Sequence, residues 1–194
     1  MKRYLLLLLS FCSFAVMAQT LRVDDLISRW EADFSAGLNN DGYQFGFGIA
    51  FFPVQYAGVK ADIGFAGEIE EIADWCMDEW DWDNRYTVRF KFGASAVLRT
   101  PCLARWKSQD AGFYLFAEPG IILSPGAAGR KGAQVFNRSL KAGINLQLDR
   151  VIVFAGYGIS DFNLYSGTPD NRQAMQSHDT YITHSVFIGT AYKF

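Results

Sequence analysis

The chain has 194 residues, with 18 basic against 20 acidic side chains and three cysteines. That charge balance excludes the basic footprint of a nucleic-acid binder. Three cysteines in such a length exclude a disulfide-stapled scaffold.

In chain order, residues 1–18 (MKRYLLLLLSFCSFAVMA) read as a cleaved secretory signal peptide. Lys2 and Arg3 form its basic start, Leu5 to Val16 its apolar run, and Ala18 the small residue at the cut. Cys12 would carry a lipid anchor only at the cleavage point, and Phe11 before it is too bulky for that. Residues 19–194 are then one exported domain, with 16 basic side chains once Lys2 and Arg3 are subtracted from 18. No run of 18 apolar residues follows the leader, so no helical membrane span is expected.

The remaining chain is dominated by a period of two, the signature of strands with one apolar face. Trp30, Ala32, Phe34, Ala36 and Leu38 alternate with Glu31, Asp33, Ser35 and Gly37. Tyr43, Phe45, Phe47, Ile49 and Phe51 follow, then Val59, Ala61, Ile63 and Phe65. Residues 86 to 99 (YTVRFKFGASAVLR) separate Tyr86, Val88, Phe90, Phe92, Ala94, Ala96 and Leu98 from Arg89, Lys91, Gly93, Ser95, Val97 and Arg99. Phe113, Leu115 and Ala117 come next, then Leu140 to Leu148, Val151 to Ile159, and Val186 to Phe194, each with the same alternation. These make eight strands, most of the length that a tilted strand needs to cross a bilayer.

Alternation leaves open which face is inside. A soluble lipocalin-like barrel hides the apolar face, and a membrane barrel hides the polar one. Three features favour the membrane arrangement. Gly46, Gly48, Gly64, Gly93, Gly143, Gly156, Gly158 and Gly189 share the polar parity, where a narrow lumen needs gaps opposite long side chains. The same parity carries Glu31, Asp33, Asp62 and Glu118 against Lys60, Arg89, Lys91 and Lys141, a set suited to a mutually neutralising lumen network. The apolar parity is almost free of charge and ends in Tyr43, Tyr86, Phe113, Tyr192 and Phe194, as interfacial girdles do. The expected fold is therefore all-β: an eight-stranded antiparallel up-and-down transmembrane β-barrel with a packed polar lumen.

The connections support that order. Turns around Pro53 and at Asp149-Arg150 are short and fall on one side; those of roughly 67 to 85, 124 to 137 and 162 to 182 are long and fall on the other. Residues 100 to 111 are longer than a periplasmic turn should be, and the Asn39 to Gly42 hairpin is short for an outer loop. Pro119 cannot donate to a ladder, so a bulge or broken bond is expected beside it. Pairing the last strand with the first would close the barrel and remove both edges.

At this point the chain resembles the small outer-membrane β-barrel proteins of Gram-negative bacteria, the porin-family or outer-membrane β-barrel domain proteins. The likeness rests on the terminal strand with Tyr192 and Phe194, on YLFAEPGI (Tyr114 to Ile121) and on VFAGYGISDFNL (Val153 to Leu164), and it spans essentially all of residues 19–194. It implies a place in the cell outer membrane, in contact with its lipid. It also implies the barrel-assembly machinery as a transient partner, which in that family reads the terminal aromatic strand, here Tyr192 and Phe194. No peptidoglycan-binding domain, as in longer members, is expected after the barrel.

Three groups of residues invite chemistry. The segment 67 to 85 gathers Glu68, Glu70, Glu71, Asp74, Asp78, Glu79, Asp81 and Asp83 around Trp75, Trp80 and Trp82. Oxygen clusters bind calcium and indoles stack on sugars, so Trp75, Trp80, Trp82, Asp78, Asp81 and Asp83 are candidate loop contacts. The spacing lacks EF-hand order, and a solvated outer loop is the preferred reading. His184 shares the lipid-facing parity near the outer end of the last strand, where a lipid A deacylase would keep its catalytic histidine, but Ser185 beside it points to the opposite face. Cys76 and Cys102 are separated by a strand at ~3.3 Å per residue, beyond disulfide reach, so both thiols are expected free.

The expected function is that of a monomeric barrel with a structural or surface-binding role through its outer loops, without catalysis, cofactor, metal or nucleic acid. Eight strands enclose too little space for an open aqueous pore once charged side chains fill them. The alternatives are a secreted lipocalin-like carrier of a small apolar ligand and a lipid A-modifying membrane enzyme.

Overall fold

The computed structural model describes residues 29–69, 88–106, 111–125, 134–166 and 182–194. The alternating segments form β1 (Trp30–Asn39), β2 (Gly42–Val54), β3 (Ala57–Glu68), β4 (Val88–Arg99), β5 (Ala104–Trp106), β6 (Ala111–Leu123), β7 (Phe136–Leu148), β8 (Val151–Ser160) and β9 (Thr183–Lys193). Neighbours are antiparallel in the order β4-β3-β2-β1-β9-β8-β7-β6, and β6 returns to pair with β4. The eight long strands thus close into an up-and-down barrel. The first and last meet from Glu31↔Lys193 to Asn39↔Ser185, so neither keeps a free edge.

The apolar parity faces outward. Phe90, Val186 and Ile188 are each at least 60 % exposed, and Phe34, Phe47, Ile49, Ile63, Leu140, Ile144 and Tyr192 lie on the same surface. Aromatic rings pack against one another there, as in Phe34 with Phe47 (4.9 Å) and Trp30 with Phe51 (4.8 Å). Tyr43 departs from the expected girdle: it is buried, its ring lying across its cross-strand partner Gly67, which has no side chain to hold it off.

Local chemistry explains the turns. Asn39 Oδ1 accepts the backbone N–H groups of Asp41 (2.8 Å) and Gly42 (2.7 Å), which closes the β1–β2 hairpin in two residues. Asp149 takes a positive φ of 52° in the β7–β8 turn, a conformation aspartate tolerates better than most residues. The β2–β3 turn lies beyond Pro53, at Gln55 and Tyr56, and β2 accommodates the proline through a register shift between Phe51 and Val54. Pro119 sits within β6 without a bulge. The β4–β6 register is unchanged on both sides of it, but the ladder skips Ala96 and Val97 opposite Glu118 and Pro119. The connection after β4 is not a plain turn: β5 pairs with Phe113, Gly112 and Ala111, adding a ninth, three-residue strand along the lower end of β6.

Candidate functional site

The interior is built in tiers, and it is mixed rather than uniformly polar. At the end bearing the short turns, Arg99 donates to both Glu31 oxygens, at 2.7 and 2.5 Å, and its guanidinium lies 4.2 Å from the Phe52 ring centre. Lys193 Nζ stands 3.8 Å from Glu31 Oε1 and donates to Gln147 Oε1 at 2.9 Å. Above this tier Lys60 bridges Asp33 (3.0 Å) and Glu118 (3.7 Å).

Three inward phenylalanines, Phe116, Phe154 and Phe187, meet at the same level with ring centres 6.2 to 6.3 Å apart. Each ring lies where its neighbour strand has no side chain: Phe154 over Gly189, Phe187 over Gly156 and Phe116 over Gly143. Charged groups use the same device. A Cβ at Gly48 would stand 2.6 Å from both Asp33 Oδ2 and Lys60 Cε, and one at Gly93 would clash with the Asp62 carboxylate. The glycines of the polar parity are therefore the floor on which long lumen side chains lie flat.

Two cavities flank this tier, and Asp33, Lys60, Glu118 and Phe154 border both. The lower offers about 20 Å³ to the centres of water molecules and the upper about 60 Å³, enough for a few waters. The upper one is also bordered by Gln44, Asp62, Lys91, Ser139, Lys141 and Phe162.

The far mouth is plugged by the chain leaving β8. Phe162 (2 % exposed) and Leu164 (0 %) turn into the barrel and pack on Ala66, with Ile122 and Tyr165 beside them. Arg89, only 1 % exposed, ties the plug down. Its Nη1 donates to Asn163 O (2.5 Å), and its Nη2 to Ser124 O (2.8 Å) and Gln134 O (3.2 Å), three carbonyls from two connections, β8–β9 and β6–β7. The guanidinium also lies 5.0 Å from the Phe162 ring centre. Thr183 Oγ1 donates to Phe162 O, and Ser124 Oγ to Phe90 O at 2.7 Å.

The eight lumen charges singled out from the sequence all lie on inward positions, but they are not one network. Asp33, Lys60 and Glu118 come together; Glu31 pairs with Arg99 and Lys193, which lie outside that set. Arg89 is held by carbonyls and Lys91 donates to Gln44 Oε1 at 2.8 Å. Among the described residues Asp62 and Lys141 make no ion pair. The inward turn of Phe162 and Leu164 is not among the sequence expectations, although their alternation with Asp161 and Asn163 continues the period of β8 beyond its last paired residue.

Outside, His184 is exposed at the rim, where it shares a 2.5 Å hydrogen bond between Nδ1 and the Tyr157 hydroxyl, and its backbone N–H donates to Asn40 Oδ1. Among the described residues no serine hydroxyl hydrogen-bonds to this pair; Ser185 Oγ donates to Gly158 O instead. Tyr192 and Phe194 face outward and are exposed at the turn end, and Cys102 is a free thiol. The candidate loop contacts Trp75, Asp78, Trp80, Asp81, Trp82 and Asp83 lie outside the described residues, as do Cys76, Tyr86 and residues 1–18.

A scan against protein-family models found no match, and a search of the curated proteins found none. Among solved structures the chain is similar to Neisserial surface protein A (NspA): TM-score 0.52, 13 % identity, covering 85 % of this chain and 96 % of that one. It also matches the N-terminal β-barrel domain of Pseudomonas aeruginosa OprF (0.48, 10 %, 86 % and 98 %) and the outer membrane enzyme PagL (0.47, 9 %, 84 % and 99 %). At such identities the likeness is one of fold: this chain is a closed eight-stranded barrel of the kind found in small outer-membrane proteins.

Proposed function

We propose that the chain is an integral outer-membrane barrel that works without catalysis, as a structural element or through what its outer connections bind, and that its lumen is closed to bulk flow. One observation carries this reading: the sheet turns a continuous apolar surface outward while Glu31, Asp33, Lys60, Asp62 and Arg89 point inward. In water that arrangement would expose an apolar area far larger than soluble monomers carry. In a bilayer it matches hydrocarbon outside and keeps the charges of the mid-barrel inside. A lipocalin-like carrier would need the two faces exchanged. Closure is supported by the Phe116–Phe154–Phe187 tier and by the plug of Phe162 and Leu164. A leader over residues 1–18 and assembly through Tyr192 and Phe194 belong to the same proposal.

The test is reconstitution of residues 19–194 into lipid vesicles and planar bilayers. Retention of the protein in the vesicle pellet after an alkaline wash, with no steady conductance, is the expected outcome. Release by the wash would overturn membrane integration, and stable conductance steps would overturn the closed lumen.

A further inference from the structure

We propose that the cavity beneath Phe162 is a binding site for a small monovalent anion of chloride size, held by Lys91 and Lys141. The six charged residues that border it are Asp33, Lys60, Asp62, Lys91, Glu118 and Lys141. They fall into two groups of three with opposite net charge. Lys60 holds both Asp33 and Glu118, which leaves one lysine with two carboxylates. Asp62 is the one bordering carboxylate that Lys60 does not hold, and among the described residues neither Lys91 nor Lys141 comes within ion-pair distance of any carboxylate. The Asp62 carboxylate lies flat on the wall over Gly93.

The two lysines are also short of acceptors. Lys91 Nζ donates to Gln44 Oε1 and faces the Phe162 ring, 5.3 Å from its centre. An ammonium has three donors, so this contact leaves two of them for the cavity. Lys141 runs past Gly158 and has no hydrogen-bond acceptor among the described residues. Above them Arg89 adds a third cation whose partners are neutral carbonyls. Cations enclosed in a low-dielectric interior are costly unless a counter-charge joins them. An anion beside Lys91 and Lys141 supplies that charge and the missing acceptors. A volume of about 60 Å³ open to water centres admits one halide with a few waters and disfavours bulky organic anions. The Ser139 hydroxyl borders the same space and supplies a neutral donor.

Bromide is the probe, because it resembles chloride and scatters anomalously. Crystals of the micelle-folded protein grown in sodium bromide are expected to show an anomalous peak between Lys91 Nζ and Lys141 Nζ. In parallel, the temperature at which the folded band is lost on gels is expected to rise with bromide concentration at constant ionic strength, gluconate making up the balance, as ligand linkage requires. Lys141→Met is expected to abolish that rise while still folding. A peak only on the barrel exterior would mean an adventitious ion only and would overturn the site. Absence of any internal peak, or an unchanged bromide dependence in Lys141→Met, would do the same. If Lys141→Met does not fold, the diffraction result on the unmodified chain decides alone.

Discussion

Arg99 and Glu31 face each other across the turn end of the lumen in a two-pronged pair, Nη1 to Oε1 at 2.7 Å and Nη2 to Oε2 at 2.5 Å. Both side chains are largely enclosed, and Arg99 Nε has no partner, so the guanidinium depends on this carboxylate. Glu31→Ala is expected to cost about 3–5 kcal/mol by stranding a buried cation. The double change Glu31→Leu with Arg99→Leu is expected to be far milder than the sum of its parts. Urea titration of the folded gel band in vesicles checks both. Equal losses for the single and double variants would remove the pair from the account.

The mouth gives a local prediction. Arg89→Met removes the donors to Asn163, Ser124 and Gln134, and Phe162→Ala empties the centre of the plug. Either change is expected to leave the barrel closed and heat-modifiable but to open residues 161–166 to protease, since a segment with few remaining contacts opens independently of the strands. Mass spectrometry of limited digests reads the cut sites. A protection pattern identical to the unmodified chain would show that the plug does not depend on these two residues.

Lumen glycines should differ in tolerance according to what lies over them. A Cβ at Gly93 runs into the Asp62 carboxylate, whereas one at Gly46 meets Ser35 Oγ at 3.1 Å and the Ile63 carbonyl oxygen at an ordinary 3.9 Å. Gly93→Ala is expected to destabilise the barrel by about 1–3 kcal/mol. Gly46→Ala should be near neutral, because the small overlap is offset by the reduced freedom of the unfolded chain. Parallel urea titrations compare them, and equal effects would contradict this reading of the glycine face.

At the outer rim, Tyr157→Phe and His184→Ala remove the 2.5 Å hydrogen bond between the two residues. On the proposed non-catalytic reading, neither change is expected to alter lipid A. Mass spectra of lipid A from strains overproducing the unmodified chain should match those of the host. A loss of acyl chains that His184→Ala abolishes would reassign the barrel as an enzyme.

The strands were legible because alternation over many residues fixes both their existence and their faces, as Phe90, Phe92 and Ala94 against Arg89, Lys91 and Gly93 illustrate. Closure was legible from the paired first and last strands. Harder to read was the content of the lumen. Phe116, Phe154 and Phe187 sit on the polar parity, and nothing in an alternating pattern says that three rings from β6, β8 and β9 converge. Pairing of charges across the barrel depends on stagger between strands that are distant in sequence. Arg99 stood on the inward parity in plain view, yet its partnership with Glu31, 68 residues away, follows only from the closed register. The plug was hidden for another reason: Phe162 and Leu164 belong to no paired strand and gain their places only when Arg89 ties the β6–β7 and β8–β9 connections together around them.

The central claim is a closed barrel with its apolar face turned to lipid. Its most direct test is the gel mobility of residues 19–194 refolded in detergent micelles, with and without boiling. The account predicts a clear shift on heating, from a compact closed barrel to the unfolded chain. No shift, together with full solubility in plain buffer, would mean that the apolar face is inside and would contradict it.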